Sequence, residues 1–385
     1  MFQDREKRGW NKMRLILTGG GTGGHIYPLI AVYNELKKNE RIEVTYFGKK
    51  NGMEEDVARK NDLDFFGLTI LGMARGKPWQ LFSLAILYAR AIFVSVIKIR
   101  SLKPDVIFAS GGYACFPACI AATILRVPFC LHEQNALPGK ANLFLAKFAS
   151  KTFVSFSSSM KKFKTNRPII LTGLPIRDSF FSSLKKQARE NLAFSPADSI
   201  ILITGGSRGA SFLNTLGQFL GHWARGNNKI ILITGKNNYA GVLEEMKAHN
   251  IHHGIDANVK VIAYADNVDQ YMSAADLVIC RAGATTIGEL CALGKPSILI
   301  PFPGAAENHQ LINAQSAADA GAAVVFEEQC FVGGAEFVSY VEKLISDAAE
   351  LERMAEQAKK LANCHSAAII AAELMKIHKV GGRFE

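Results

Sequence analysis

The sequence has few of the cysteine and histidine patterns that mark a disulfide framework or a metal site. Its seven cysteines are widely spaced and lie mostly in apolar runs, so we expect buried free thiols in a reducing cytosol. Cys115 and Cys119 have the spacing of one helix face, but no CxxC pair or histidine cluster accompanies them. The sequence therefore predicts no metal site and no cofactor.

A long block of lysine and arginine is also missing, although 45 basic and 34 acidic residues give a net charge of +11. Charge of this sign is typical of proteins that meet nucleic acid, an anionic membrane or an acidic substrate, and composition alone does not choose among them. No motif interleaves aromatic and basic residues in the way that binders of single strands do. We therefore expect no nucleic-acid partner.

The sequence shows no signal-peptide pattern and no uninterrupted apolar run of about twenty residues, the length that spans a membrane. The stretch Pro78–Arg100 comes nearest, but Arg90 interrupts its middle. We expect a long helix packed on a sheet, with a fully buried core helix as one alternative. In the other alternative its N-terminal end, with Trp79, Leu81 and Phe82, contacts an anionic membrane.

What the sequence does contain is an alternation of short apolar runs with helical patterns. Strands are predicted at Leu15–Thr18, Val44–Phe47, Val106–Ala109, Phe129–His132, Ile200–Thr204, Ile230–Thr234, Val259–Ala263, Leu277–Cys280 and Ser297–Ile300. This alternation favours α/β domains built on doubly wound parallel sheets. Because single cores stop growing at roughly 250–300 residues, we expect two domains, 1–175 and 176–385. The last helix is able to pack back on the first domain.

A glycine-rich loop, "GGGTGGH", follows the first predicted strand. Gly19, Gly21 and Gly24 match the dinucleotide spacing GxGxxG, but the second strand lacks an acidic residue at its end. His25 stands where a P-loop needs lysine. With both of these nucleotide-binding motifs excluded, we interpret the stretch as a glycine loop that leads into a helix, with Pro28 in the first turn of that helix. The start of such a helix favours an anion. His25 can take a proton there, with a purely structural histidine as the alternative.

The second half carries the richest stretch, between Ala275 and Ala314. Small residues follow the strand that ends at Cys280, and a helix is predicted from near Thr285 to Gly294. The amides at the start of that helix can meet a diphosphate, and a carboxylate one turn in, Glu289, suits the two hydroxyls of a ribose. The alternative for Glu289 is a carboxylate that only complements the helix dipole.

Seven motifs in this chain occur in the order found in one enzyme family. They read "GGGTGGHIYP", "GGYACFP", "HEQNALPG", "TGLPIR", "GGSRGAS", "CRAGATTIGEL" and "PFPGAAENHQLINA". From about Arg14 to Ile370 the chain resembles the bacterial UDP-N-acetylglucosamine transferases that form lipid II during peptidoglycan synthesis, a process on which cell shape and division depend.

The resemblance implies a GT-B fold, with two Rossmann-like domains facing a central cleft. It implies an inverting, metal-independent hexosyltransferase that moves N-acetylglucosamine from UDP-N-acetylglucosamine to the 4-hydroxyl of the N-acetylmuramyl sugar of lipid I. The first domain would take the undecaprenyl-linked acceptor and associate with the membrane, peripherally at its cytoplasmic face. A UDP-N-acetylglucosamine epimerase and a transferase with another lipid acceptor remain alternatives.

The resemblance also implies roles for individual residues. Donor-binding positions are Thr22, Gly23, Gly24, Asn135, Arg177, Ser207, Ala265, Ala284, Thr285, Thr286, Ile287, Gly288, Glu289 and Gln310. Among them, Ala265 would contact the uracil by its backbone, and Gln310, helped by His309, would reach the sugar. Gly21 and Tyr113 would lie on the acceptor side. His25 is the first candidate for the catalytic base and Glu133 the second, unless Glu133 only orients its neighbours.

Overall fold

The computed structural model describes residues 12–39, 41–72, 79–206, 209–254, 257–331 and 333–381. These residues form two compact units. The first unit holds the described residues up to Gln134, Pro138–Pro175, and the described residues from His365 onward. The second unit holds Asn135–Leu137 and the described residues of Ile176–Cys364.

The described part of the first unit is built on a parallel sheet of seven strands. The strands are β1 (Met13–Thr18), β2 (Ile42–Lys49), β3 (Asp64–Leu68), β4 (Val106–Ala109), β5 (Phe129–Glu133), β6 (Lys151–Val154) and β7 (Ile169–Leu171). Their order in space is β3-β2-β1-β4-β5-β6-β7. Winding runs outward in both directions from β1 and β4, so the switch point of this doubly wound sheet lies between them.

The helices of this unit before residue 175 cover the sheet and connect its strands. They are α1 (Gly23–Asn39), α2 (Met53–Lys60), α3 (Trp79–Leu102), α4 (Phe116–Leu125), α5 (Lys140–Leu145) and α6 (Ser157–Met160). The central strands β1 and β4 are apolar and almost completely buried, as expected for parallel strands that are covered on both faces.

The second unit repeats this architecture with a six-stranded parallel sheet in its described residues. Its strands are β8 (Ser199–Thr204), β9 (Asn228–Ile233), β10 (Val259–Ile262), β11 (Leu277–Cys280), β12 (Ser297–Leu299) and β13 (Ala323–Val325). Their spatial order is β10-β9-β8-β11-β12-β13. The switch point therefore lies between β8 and β11, the strands that correspond to β1 and β4.

Ten further helices follow β7 in the described chain. They are α7 (Asp178–Ser182), α8 (Lys185–Asn191), α9 (Ser211–Gly221), α10 (Tyr239–Ala248), α11 (Val268–Ala274), α12 (Ala284–Leu293), α13 (His309–Asp319), α14 (Gly334–Ser346), α15 (Ala348–Leu361) and α16 (Ser366–Gly381). Helix α16 belongs to the first unit, where it packs against α1 and contributes Ile370 and Leu374 to the core.

The predicted fold class, two Rossmann-like doubly wound parallel sheets, is confirmed. All nine predicted strands are present, each within two residues of its expected bounds. The sequence pattern missed β3, β6, β7 and β13. Two of these have only three residues, and β3 carries an exposed aspartate, so neither length nor apolar periodicity marks them.

The long apolar helix packs on the sheet as expected, but along one face only, where Ile99 joins the core of the central strands; the alternative of a fully buried core helix is wrong. Helix α3 lies against α4 and buries one narrow face, Ala91, Ser95 and Ile99, at intervals of four residues. Five large apolar side chains of this helix are exposed, namely Phe82, Ile86, Phe93, Val94 and Ile97, and only 17% of the window Phe82–Leu102 is buried. By length and composition alone this helix, with a mean hydropathy of 1.9, is apolar enough to cross a membrane.

Candidate active site

The glycine loop of the first unit lies at the switch point between β1 and β4. Ligands of doubly wound sheets bind at this edge. Helix α1 begins at Gly23, so Gly23 and Gly24 place their backbone amides in its first turn. The sequence prediction placed Pro28 in that turn and was wrong, because the helix begins five residues earlier and Pro28 lies inside it.

His25 lies on the first turn of α1 and is partly buried. Its Nδ1 is 3.1 Å from the hydroxyl of Thr22. The hydroxyl of Ser110, directly after β4, donates to the carbonyl of His25. If Nδ1–H donates to Thr22, the lone pair of the neutral ring lies on Nε2, which is the state that a general base needs.

Gly21 and Tyr113, the two predicted acceptor-side residues, are neighbours in the structure. Gly21 has a φ of +89°, a conformation that favours glycine. A Cβ at this position would lie 2.9 Å from Cε1 of the Tyr113 ring. Both the backbone angle and the aromatic ring therefore require glycine here.

The sequence reasoning missed Glu54, which reaches this loop from α2. Its carboxylate accepts the N–H of Gly21 at 2.8 Å and is buried, with 1% exposed. The glycine loop and the helix start after it were expected to favour an anion, but the amide of Gly21 already donates to a carboxylate of the protein itself.

Glu133, the second candidate base, ends β5 and is also 1% exposed. Its Oε2 accepts the backbone N–H of Gly139 at 3.0 Å and the side-chain amide of Asn142 at 2.8 Å. These contacts hold together the loop that leads into α5. The geometry favours the orienting role over the role of base.

In the second unit the predicted helix is confirmed as α12, with Gly283 at its N-cap. Gly294 follows the last turn with a φ of +63°, the usual way to end a helix. Ala284 and Thr285 are buried in the first turn, and Thr286, Ile287 and Gly288 complete the segment up to Glu289. This helix follows β11, so its amides lie at the β8/β11 switch point.

Glu289 and Arg177 form an ion pair inside this unit. The distance from Nη2 of Arg177 to Oε1 of Glu289 is 3.5 Å. Burial raises the pKa of Glu289 to about 7, and Asp269 adds to this effect, whereas the Arg177 guanidinium opposes it. Arg177 also lies over the ring of Phe180, 4.9 Å from its centroid. The structure thus brings together two residues that are more than a hundred positions apart in sequence.

Of two other predicted donor positions, Ala265 and Ser207, the structure describes the first. Ala265 is partly buried in the loop directly after β10. Ser207 lies outside the described residues, although Gly206 before it and Gly209 after it both have positive φ angles. Trp79 and Leu81 begin α3, but their side chains likewise lie outside the described part.

Gln310 is held at the start of α13. Its Oε1 accepts the backbone N–H of Phe302 at 2.9 Å, which directs the NH₂ group away from that contact. Arg281, which belongs to the motif "CRAGATTIGEL", stacks 5.3 Å from the centroid of the Phe302 ring and pairs with Glu328. His309 Nδ1 lies 2.7 Å from the carbonyl of Ala306. The loop that precedes α13 is therefore fixed from several sides.

Asn135 was expected to act from the first half of the chain, but its contacts group it with the second unit. Asn313 donates its side-chain amide to Oδ1 of Asn135 at 3.2 Å and accepts the N–H of Ala136 at 3.0 Å. Asn313 is completely buried. A single asparagine on α13 thus anchors Asn135, a pairing that no local pattern could reveal.

Among the residues that the structure describes, no three His, Cys, Asp or Glu side chains are grouped to hold a metal ion.

Comparison with known families gives two matches along the chain. Residues 15–154 match the glycosyltransferase family 28 N-terminal domain, and residues 200–369 match its C-terminal domain. The chain is 37% identical over 352 residues to the UDP-N-acetylglucosamine–N-acetylmuramyl-(pentapeptide) pyrophosphoryl-undecaprenol N-acetylglucosamine transferase of Caldanaerobacter subterraneus subsp. tengcongensis. That alignment covers 91% of this chain and 95% of the relative.

Solved structures agree with this relationship. MurG of Acinetobacter baumannii is 25% identical, with a TM-score of 0.71, and the match covers 95% of this chain and 99% of that one. The UDP-GlcNAc 2-epimerase of Neisseria meningitidis, solved with UDP-GlcNAc, has a TM-score of 0.67 over 95% of this chain and 100% of its own. At 18% identity the second likeness concerns the fold alone.

Proposed function

This chain belongs to the glycosyltransferase family 28 enzymes that move N-acetylglucosamine to N-acetylmuramyl-(pentapeptide) pyrophosphoryl-undecaprenol, and we propose that it catalyses this reaction, forming lipid II from lipid I and UDP-N-acetylglucosamine. The observation that carries the assignment of the donor site is the Arg177–Glu289 ion pair, which lies one turn into α12. At this position the helix start is able to bind a diphosphate, and the Glu289 carboxylate is able to bind a ribose.

The second unit binds the donor in this proposal. The diphosphate meets the first-turn amides from Ala284 to Thr286, and Glu289 accepts the ribose hydroxyls. Ala265 contacts the uracil through its backbone, and the amide of Gln310 donates to the sugar. Ser207 and Asn135 complete the site.

The first unit binds the acceptor and supplies the base. The 4-hydroxyl oxygen of the N-acetylmuramyl sugar attacks the anomeric carbon of the donor, and its proton passes to Nε2 of His25. As the new bond forms, the bond from the anomeric carbon to the UDP oxygen breaks, so the configuration inverts to β. Thr22 holds the His25 ring in the required tautomer, whereas Glu133 only orients its neighbours.

Negative charge develops on the departing diphosphate, and we assign its stabilisation to the helix start of α12 and the guanidinium of Arg177. Both are fixed before the reaction, and charge-stabilising groups that need no reorganisation are the effective ones. In this proposal neither a metal ion nor a cofactor takes part.

The first unit also carries the features of a membrane-contacting surface. Exposed side chains on α3 form a stripe at helical spacing, including Phe82 at 75% and Phe93 at 65% exposure. The rings of Tyr88, Phe116, Phe144 and Phe148 continue this surface in successive contacts toward α5. We propose that this surface attaches the enzyme peripherally to the cytoplasmic face of the membrane.

Basic residues adjoin the aromatic end of this surface. A pocket is lined by Lys147, Lys164, Thr165, Asn166 and Arg167, and Lys147 precedes Phe148 directly in sequence. Basic groups beside exposed aromatic and aliphatic side chains suit an anionic lipid surface. Helix α3 packs on α4 along its inner face, which supports attachment to a membrane rather than insertion across it.

Transfer of labelled N-acetylglucosamine from UDP-N-acetylglucosamine to a short-chain lipid I analogue tests the proposal. We expect a β-linked product and release of UDP only when the acceptor is present. A parallel incubation with donor alone tests the epimerase alternative, because an epimerase would form an epimer of the donor sugar without any acceptor. Absence of acceptor-dependent product from folded, membrane-reconstituted protein would reject the proposal.

A further inference from the structure

Glu54 is a buried carboxylate that the reaction described above does not use. It lies in the first turn of α2, and 1% of its surface is exposed. Its Oε1 accepts the backbone N–H of Gly21, which is 33 residues away in sequence. A buried carboxylate is costly unless hydrogen bonds compensate it, so this contact is a specific feature of the loop.

Three glycines make room for this carboxylate. A Cβ at Gly20 or at Gly52 would overlap the carboxylate, and a Cβ at Gly48 would lie 2.8 Å from Cβ of Glu54. Part of the glycine content of the opening loop therefore accommodates an internal acid. The close approach of an external phosphate is not needed to explain Gly20.

The same loop is held at two further points in the first unit. The hydroxyl of Tyr46 donates to the carbonyl of Gly19 at 2.8 Å, and the hydroxyl of Ser110 donates to the carbonyl of His25. Burial raises the pKa of Tyr46, and the nearby Glu54 carboxylate adds to this effect. Tyr46 therefore remains protonated and continues to donate. Side chains from both neighbouring strands thus fix the backbone on either side of Gly21.

We propose that Glu54 is a positioning residue, which holds the Gly21 amide and thereby presets the loop that carries Thr22 and His25. The inference rests on the proposed function to the extent that His25 is the base.

Amide hydrogen exchange and kinetics, measured on the same variants of the full chain, test this role. In Glu54→Ala we expect exchange at residues 19–24 to become about 10- to 100-fold faster, because one charge-assisted hydrogen bond is lost. We expect kcat to fall by about 10-fold or more while the KM for UDP-N-acetylglucosamine stays within about twofold, since the proposed contacts to the donor's diphosphate and ribose come from α12 of the second unit.

Two variants provide the controls. Glu54→Gln keeps an acceptor oxygen in the same volume, so it should retain most of the exchange protection and most of kcat. Glu55→Ala removes the neighbouring carboxylate, which pairs with Arg59 on the outside of α2, and should change neither readout. If Glu54→Ala does not fold, Glu54→Asp replaces it, because the shorter side chain withdraws the carboxylate from Gly21.

Unchanged exchange at residues 19–24 in Glu54→Ala would overturn the proposal, and so would an unchanged kcat together with faster exchange. Failure of the proposed function is a separate result. In that case the wild-type protein would give no transfer product, while the exchange comparison would still report whether Glu54 fixes the loop.

Discussion

Donor binding should depend on pH through Glu289, and Glu289→Gln should remove that dependence. Burial raises the pKa of this carboxyl to about 7 despite the ion pair with Arg177. A carboxylate accepts hydrogen bonds from both ribose hydroxyls, whereas the protonated acid has lost part of this capacity. The ionised form is therefore the one that binds UDP-N-acetylglucosamine well.

The size of the effect follows from the fraction of Glu289 that is ionised. With a pKa of about 7, about 90% is ionised at pH 8 and about 3% at pH 5.5. The dissociation constant should therefore rise roughly 30-fold as the pH falls across this range, which corresponds to about 2 kcal/mol. The donor diphosphate is a diester without a proton to gain in this range, so the protein supplies the dependence.

Isothermal titration of wild-type protein and of Glu289→Gln with UDP-N-acetylglucosamine between pH 5.5 and 8 measures this directly. The glutamine variant should bind more weakly at pH 8 but with almost constant affinity. Folding gives a second readout of opposite sign. Because the folded-state pKa is raised, the folded chain holds more protons between pH 4.5 and 7, and this residue's contribution to stability falls as the pH rises through that window. Equal pH slopes for the two proteins would refute the reasoning.

Three further predictions concern catalysis, membrane binding and stability. His25→Ala should lower kcat by more than about 100-fold with little change in donor binding; near-normal turnover would remove His25 as the base. Phe93→Ser should weaken binding to phosphatidylglycerol vesicles by about 10-fold in a sedimentation assay, whereas Leu184→Ser, a control at an exposed leucine of the second unit, should leave binding unchanged. Burial lowers the pKa of Lys295 to about 7, so above pH 7 the unfolded chain binds more protons and stability should rise with pH. Lys295→Met should lose this rise between pH 7 and 9 in calorimetric melting curves, and an unchanged slope would contradict the assignment.

Much of the fold could be predicted because its signals are local. The strands from Val106 to Ala109 and from Leu277 to Cys280 have the predicted bounds, since both are short apolar runs in the middle of a sheet. Gly294 marks the end of α12 because the chain must adopt a left-handed angle there. Strands such as β7, with three residues, obtain their structure from pairing with a neighbour that the sequence does not display.

In the candidate site, too, local signals could be predicted from the sequence and contacts between distant segments could not. Motif spacing located Glu289 and His25, because each lies a fixed number of residues after a strand and its turn. The partners of these motifs come from distant segments: Glu54 reaches Gly21 across 33 positions, and Asn313 reaches Asn135 across 178. The composition of helix α3 did not reveal how narrow its buried face is, because an apolar side chain looks the same in sequence whether it faces the core or the outer surface of the unit.

The central claim is that the second unit carries the donor at the β8/β11 switch point. A crystal structure with bound UDP-N-acetylglucosamine tests it most directly. We expect the diphosphate at the first-turn amides of α12, the ribose hydroxyls on Glu289 and the uracil against the backbone of Ala265. A donor bound in the glycine loop of the first unit, with Glu289 still paired only to Arg177, would contradict it.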